Sequence, residues 1–175
     1  MPKQRARAIA LATWPVAFRP STAREIDRTI DVTWRAGRRW PLERPGDDFE
    51  EELLVSRARV NFCVLDSGMA LVLSGRPGPA SERAIGVVRR AYAKENDCFA
   101  TLRLSPRDEV TPIWSAVRSG AVRHAAVLYR LYGFEMQASP GRPDLRRITA
   151  WQPIKVIVPD RRVLQSSQRT DNAQP

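Results

Sequence analysis

The sequence is poor in the residues that build metal and disulfide sites. Among its 175 residues are two cysteines, Cys63 and Cys98, and one histidine, His124. Two thiols and one imidazole cannot complete the four-ligand set of a zinc ribbon or finger, and they offer no disulfide framework. Lysine is scarce too: Lys3, Lys94 and Lys155 are the only three, so arginine carries nearly all of the positive charge. Long apolar runs are missing. Nothing approaches the roughly 20 apolar residues of a membrane-spanning helix, so no membrane partner is expected. The start is basic, but the apolar stretch Ala8–Ala12 is too short for a secretory signal. A reduced, cytoplasmic protein is the expectation.

What the chain does have is positive charge, with a net value of +10 and an isoelectric point near 10.9. The arginines are dispersed: Arg24, Arg28, Arg35, Arg38 and Arg39 early, Arg89 and Arg90 midway, Arg146 and Arg147 late. Such a distribution suits a solvated basic surface, and equally a polyanionic partner, nucleic acid included.

The length fits one domain with a real core. The reading divides the chain into a basic lead over 1–12, a single domain over 13–158 and a polar tail over 159–175 that is expected to be disordered. Within the domain, Thr13–Phe18 reads as a strand closed by Pro20. Ile26, Ile30 and Trp34 recur every four residues, which predicts an amphipathic helix over 23–36 ended by Gly37. A capping-box spacing between Thr22 and Glu25 supports its start. Asp47 and Asp48 sit where acids favour a helix N-terminus, predicting a second helix over 49–56. Val60–Leu65 and Met69–Leu73, around a short turn holding Gly68, read as a hairpin. A third helix is expected over 82–95, from Ile85, Val88, Arg89 and Tyr92. The remaining predicted strands are 98–104, 113–117, 134–137 and 147–151, with a final edge strand over 155–158.

A fourth helix is expected between Gly120 and Gly133. Ala125, Leu128 and Tyr129 fall at i, i+3 and i+4, Gly133 can cap the end, and Phe134 can pack back on the last turn. The sum is an α/β fold: a mixed, mainly antiparallel central sheet with helices on both faces. Tyr129, a phenol near a helix end, is a candidate general acid. His124 reads as a surface histidine. Glu25, Glu50, Glu51 and Glu52 read as helix-start and solvated charge, and Trp14, Trp34, Trp40, Trp114 and Trp151 as core or loop anchors.

These segments resemble the GCN5-related N-acetyltransferases at three places. Phe18–Ile26 looks like the first strand and helix of that family, Val60–Leu73 like its second and third strands, and Ala125, Leu128, Tyr129, Gly133 and Phe134 like its last helix. The resemblance implies an acetyltransferase-like fold, acetyl-CoA as cofactor, a small-molecule or protein amine as acceptor, and Tyr129 as the acid that protonates the departing thiolate. The acceptor would attack the thioester directly, so positioning would dominate catalysis. Arg83 and Gly86, with Gly78 as the other candidate, would contact the cofactor phosphates. The sequence departs from the family there: Val88 stands where a small residue belongs, and Pro77 and Pro79 remove N–H donors beside Gly78.

Two other readings stand beside it. Gly120 and Arg123 resemble the Gly-x-x-Arg turn of ParB/sulfiredoxin-like domains, which implies phosphate or nucleic-acid contacts at those two residues. A catalytically inactive acetyltransferase-like domain that binds a partner is the other.

Overall fold

The computed structural model describes residues 11–35, 39–41, 49–65, 67–74 and 82–160. Gly78, Arg76, Asp47, Asp48 and the tail beyond 160 lie outside the described residues. Among the described residues nine strands dominate: β1 Leu11–Arg24, β2 Thr29–Arg35, β3 Arg39–Pro41, β4 Phe49–Leu53, β5 Ala70–Ser74, β6 Glu82–Lys94, β7 Asp97–Leu104, β8 His124–Gln137 and β9 Asp144–Pro159. Among the described residues the one α-helix is α1, Thr111–Arg118.

The strands run in the order β9-β5-β6-β7-β2-β1-β8, and β8 pairs back onto β9, closing a seven-stranded barrel. An odd number of strands cannot alternate direction all the way round, so one neighbouring pair must be parallel. That pair is β5–β9, through Ala70↔Lys155 to Ser74↔Pro159. β9 is long enough to serve two neighbours: its second half pairs with β5, and its first half pairs in parallel with β4, with β3 outside β4. Closure removes most free sheet edges, and side chains fill the interior. Trp14, Trp34, Trp151 and Tyr129 are all essentially inaccessible there.

This architecture overturns the α/β expectation and, with it, the acetyltransferase resemblance: among the described residues no layers of helices cover the faces of a sheet. The cause lies in spacings that two periods share. Ile26, Ile30 and Trp34 are four apart, which is also an even number, so a strand aligns them as well as a helix does. In the structure β2 turns Ile30, Val32 and Trp34 inward, while Ile26 sits almost fully exposed in the turn between β1 and β2. Along β8, Ala125, Val127, Tyr129 and Leu131 are buried and alternate with more exposed neighbours, a period of two. Gly133 therefore lies inside a strand, and Phe134 continues it.

Residues 49–53 and 82–94 are likewise strands rather than helices. The expected hairpin does not form: Cys63–Leu65 is a 3₁₀ turn, Val60 makes only an isolated bridge to Trp151, and β5 pairs with β6 and β9. The helix α1 occupies the segment read as a strand, with Pro112 at its first turn, where a missing N–H costs nothing. The strands over 13–18, 98–104, 134–137 and 147–151 are present, within longer elements. Residues 155–158 are a strand too, but an interior one, paired with both β5 and β8.

Candidate functional site

Two places gather chemically capable side chains, one inside the barrel and one on its outer wall. Inside, Tyr129 has no exposure, and its hydroxyl donates to Glu51 Oε2 at 3.4 Å. Its ring meets Trp151 edge-on at 5.7 Å. Glu51, only 2% exposed, is paired with Arg146 on the adjacent strand β9. The Arg146 guanidinium lies over the Phe49 ring at 4.3 Å and near the Phe134 ring at 5.8 Å. A buried carboxylate is tolerated here because a cation and a phenol both face it. One strand position further on, Arg147 Nε donates to Glu52 at 2.6 Å, and that bond holds the guanidinium pKa above its usual value.

The residues singled out from the sequence do not assemble into one place. Tyr129 is sealed in the core, whereas Arg83 is exposed on β6, opposite Leu73. Gly86 sits mid-strand against β7, where an added Cβ would lie 2.1 Å from the Arg103 carbonyl oxygen, so its missing side chain serves the close approach of two strands. Gly120 follows the C-terminus of α1 with φ +73°, and its N–H is bonded to the Val117 carbonyl. Arg123 Nε donates to the Gly120 carbonyl at 3.2 Å. Phosphate-binding turns exploit the positive N-terminal end of a helix, and this turn lies at the negative end. The ParB/sulfiredoxin-like reading therefore has no phosphate-binding helix start here. His124 is exposed at the start of β8, as expected. Trp14, Trp34, Trp114 and Trp151 are core anchors.

The outer wall carries a feature that the sequence reading missed. β6, β7, β2 and β1 lie side by side, and their registers set outward side chains in rows. One row runs Tyr92, Phe99, Thr33, Ala17, and the next runs Arg90, Thr101, Asp31, Arg19. Tyr92 and Phe99 stack at 5.3 Å with their planes 18° apart, and the Arg90 guanidinium lies over the Tyr92 ring at 4.9 Å. Tyr92 remains 40% exposed. Lys94 stands opposite Asp97 beyond the aromatic row, and Arg103 stands opposite Val87 and Thr29 at the other end. Arg19, Arg90, Lys94 and Arg103 are all exposed on this wall. The acids among them, Asp31 and Asp97, are half-buried, and Asp31 accepts a hydrogen bond from Thr101 Oγ1 at 2.7 Å.

The signal was in the chain: Arg90, Tyr92 and Lys94 are two apart, as are Phe99, Thr101 and Arg103. A helical reading of 82–95 hid the first trio. Beneath the wall, Cys98 faces inward without exposure, and burial, helped by the Asp97 charge, pushes its thiol pKa far up. It is a packing residue.

No protein-family model matches the sequence, and no curated protein matches it. Among solved structures the chain is similar to the capsid assembly protease of bacteriophage T4, at 9% identity and a TM-score of 0.44, over 85% of this chain and 96% of that one. A likeness of that extent assigns no activity. No helix among the described residues is long and apolar enough to cross a membrane.

Proposed function

We propose that this chain is a binding module that holds a polyanion against the outer wall of β6, β7, β2 and β1. The observation that carries the reading is the concentration of Arg19, Arg90, Lys94 and Arg103 on that wall, exposed and set around its aromatic row, with the opposing acids half-buried. The net charge of +10 adds a field that draws a polyanion in from solution. The barrel contributes rigidity: each cation is anchored in a strand paired on both sides, so little order has to be imposed on binding.

Electrostatic binding of this kind releases counterions and weakens linearly in log salt. The test is heparin binding by the purified protein across a salt series, compared with a double variant, Arg90→Glu with Arg103→Glu. The expected result is a salt slope reduced by about one unit for each phosphate- or sulfate-contacting cation removed, with the fold intact by circular dichroism. An unchanged slope and affinity in the folded double variant would place the polyanion elsewhere and sink the reading.

A further inference from the structure

Resting on that reading, we infer that the polyanion is a single-stranded nucleic acid, with a base stacked against Phe99. The cations alone would suit any polyanion. What they surround is specific: two stacked aromatic rings from adjacent strands, Tyr92 exposed and Phe99 half-buried, on an outer sheet face rather than turned into the core. Base–aromatic stacking on a flat strand surface, with cations flanking it for the backbone, is the general physical solution for holding an unpaired strand.

The geometry gives the platform a direction. Tyr92 has the Arg90 guanidinium over its ring and Phe99 stacked against it from the next strand. Continuing across the sheet from Phe99, the same row holds Thr33 on β2 and Ala17 on β1, both short side chains. Those short side chains stand on the side of Phe99 away from Tyr92. Arg19 stands beside Ala17 on β1 and Lys94 beside Tyr92 on β6, so exposed cations flank the aromatic row at both of its ends, where phosphates on either side of a stacked base would lie. A duplex keeps its base faces buried against one another and has none to offer Phe99. A sulfated sugar has no aromatic face at all. Charge complementarity selects a polyanion, and the aromatic pair selects one with free bases.

The test uses the whole chain and three probes: a fluorescently labelled oligothymidylate, a duplex of the same length, and heparin. Binding is read by anisotropy at one salt concentration, with heparin and duplex as competitors. The expected result is that the single strand binds more tightly than the duplex. Phe99→Ala should weaken single-strand binding by roughly five- to a hundred-fold while leaving heparin and duplex binding in place. Because Phe99→Ala can disturb the sheet, Phe99→Leu, which keeps bulk but lacks the ring, must show the same selective loss. Equal binding of single strand, duplex and heparin, or an equal loss of all three in Phe99→Leu, would overturn the stacking inference while leaving the polyanion reading standing. Absence of binding to all three would overturn both.

Discussion

Tyr129 and Glu51, 78 positions apart, meet inside the barrel with the phenol hydroxyl 3.4 Å from the carboxylate. That distance is long for a hydroxyl donor, whereas Glu51 is also ion-paired to Arg146 across the parallel β4–β9 ladder. The carboxylate therefore owes most of its accommodation to the guanidinium and little to the phenol. Tyr129 matters chiefly as a large buried ring against Trp151.

From this follows an ordering of costs. Tyr129→Phe keeps the ring and loses one weak hydrogen bond, so it should destabilise by about 1 kcal/mol or less. Glu51→Ala removes the carboxylate that pairs with Arg146, whose side chain is only 16% exposed, and should cost roughly 3–5 kcal/mol. Urea denaturation of the two variants measures both. Equal losses would show that the phenol hydroxyl matters as much as the ion pair and overturn this ordering.

Gly86 is a second point of leverage. An alanine there would set its Cβ 2.1 Å from the Arg103 carbonyl oxygen and 3.0 Å from the Leu104 Cα, both backbone atoms of the partner strand. Neither can rotate away, so β6 and β7 would have to part. Gly86→Ala should cost roughly 1–3 kcal/mol, the range for forced overpacking, and should speed hydrogen exchange along β7. An alanine variant with the parental thermal midpoint would show that the ladder is more yielding than its geometry indicates. Gly68 differs in kind: it has open space around it but a φ of +82°, so an alanine there meets backbone strain and no clash.

The turn between β1 and β2 predicts a pH effect of definite sign. Thr29 Oγ1 donates to Asp27 Oδ1 at 2.8 Å, and that bond, with the Arg24 charge as a smaller contribution, lowers the Asp27 pKa below its ordinary 3.8. A carboxylate with a depressed folded-state pKa stabilises the fold above its unfolded pKa, and the gain disappears as pH falls through the folded value. Asp27→Asn should therefore lower stability at pH 7 relative to the parent, and the difference should shrink below about pH 4. A gap that stays constant from pH 7 to pH 2.5 would show that the carboxylate charge plays no part.

How much of this was legible in the chain varies by element. Asp97–Leu104 could be read directly, because alternation of Cys98, Ala100, Leu102 and Leu104 against Phe99, Thr101 and Arg103 fits only a period of two. Residues 124–133 could not, because β8 is apolar on both sides there: Ala126 and Leu128 on one face match Ala125, Val127 and Tyr129 on the other. Such a segment satisfies helical spacing by default, and the alternation shows only in the burial. The β6 segment was obscured differently. Its pairing shifts between Val88 and Arg90 and opposite Leu71 and Val72, and each irregularity adds a residue that breaks the period of two. The aromatic and basic residues of the outer wall were thus visible as residues, but not as neighbours.

By itself the sequence determined the charge, the scarcity of cysteine and histidine, the buried tryptophans and several strand positions, because these depend on residue type and on short-range spacing alone. Only the tertiary structure decided that the strands close into a barrel, that Glu51 and Arg146 meet Tyr129 inside it, and that Arg90, Tyr92 and Phe99 stack on its outside. The physical reason is register. A shift of one residue in strand pairing turns every side chain to the opposite face, and that register is fixed by which strands pair across the whole fold rather than by any local stretch of chain.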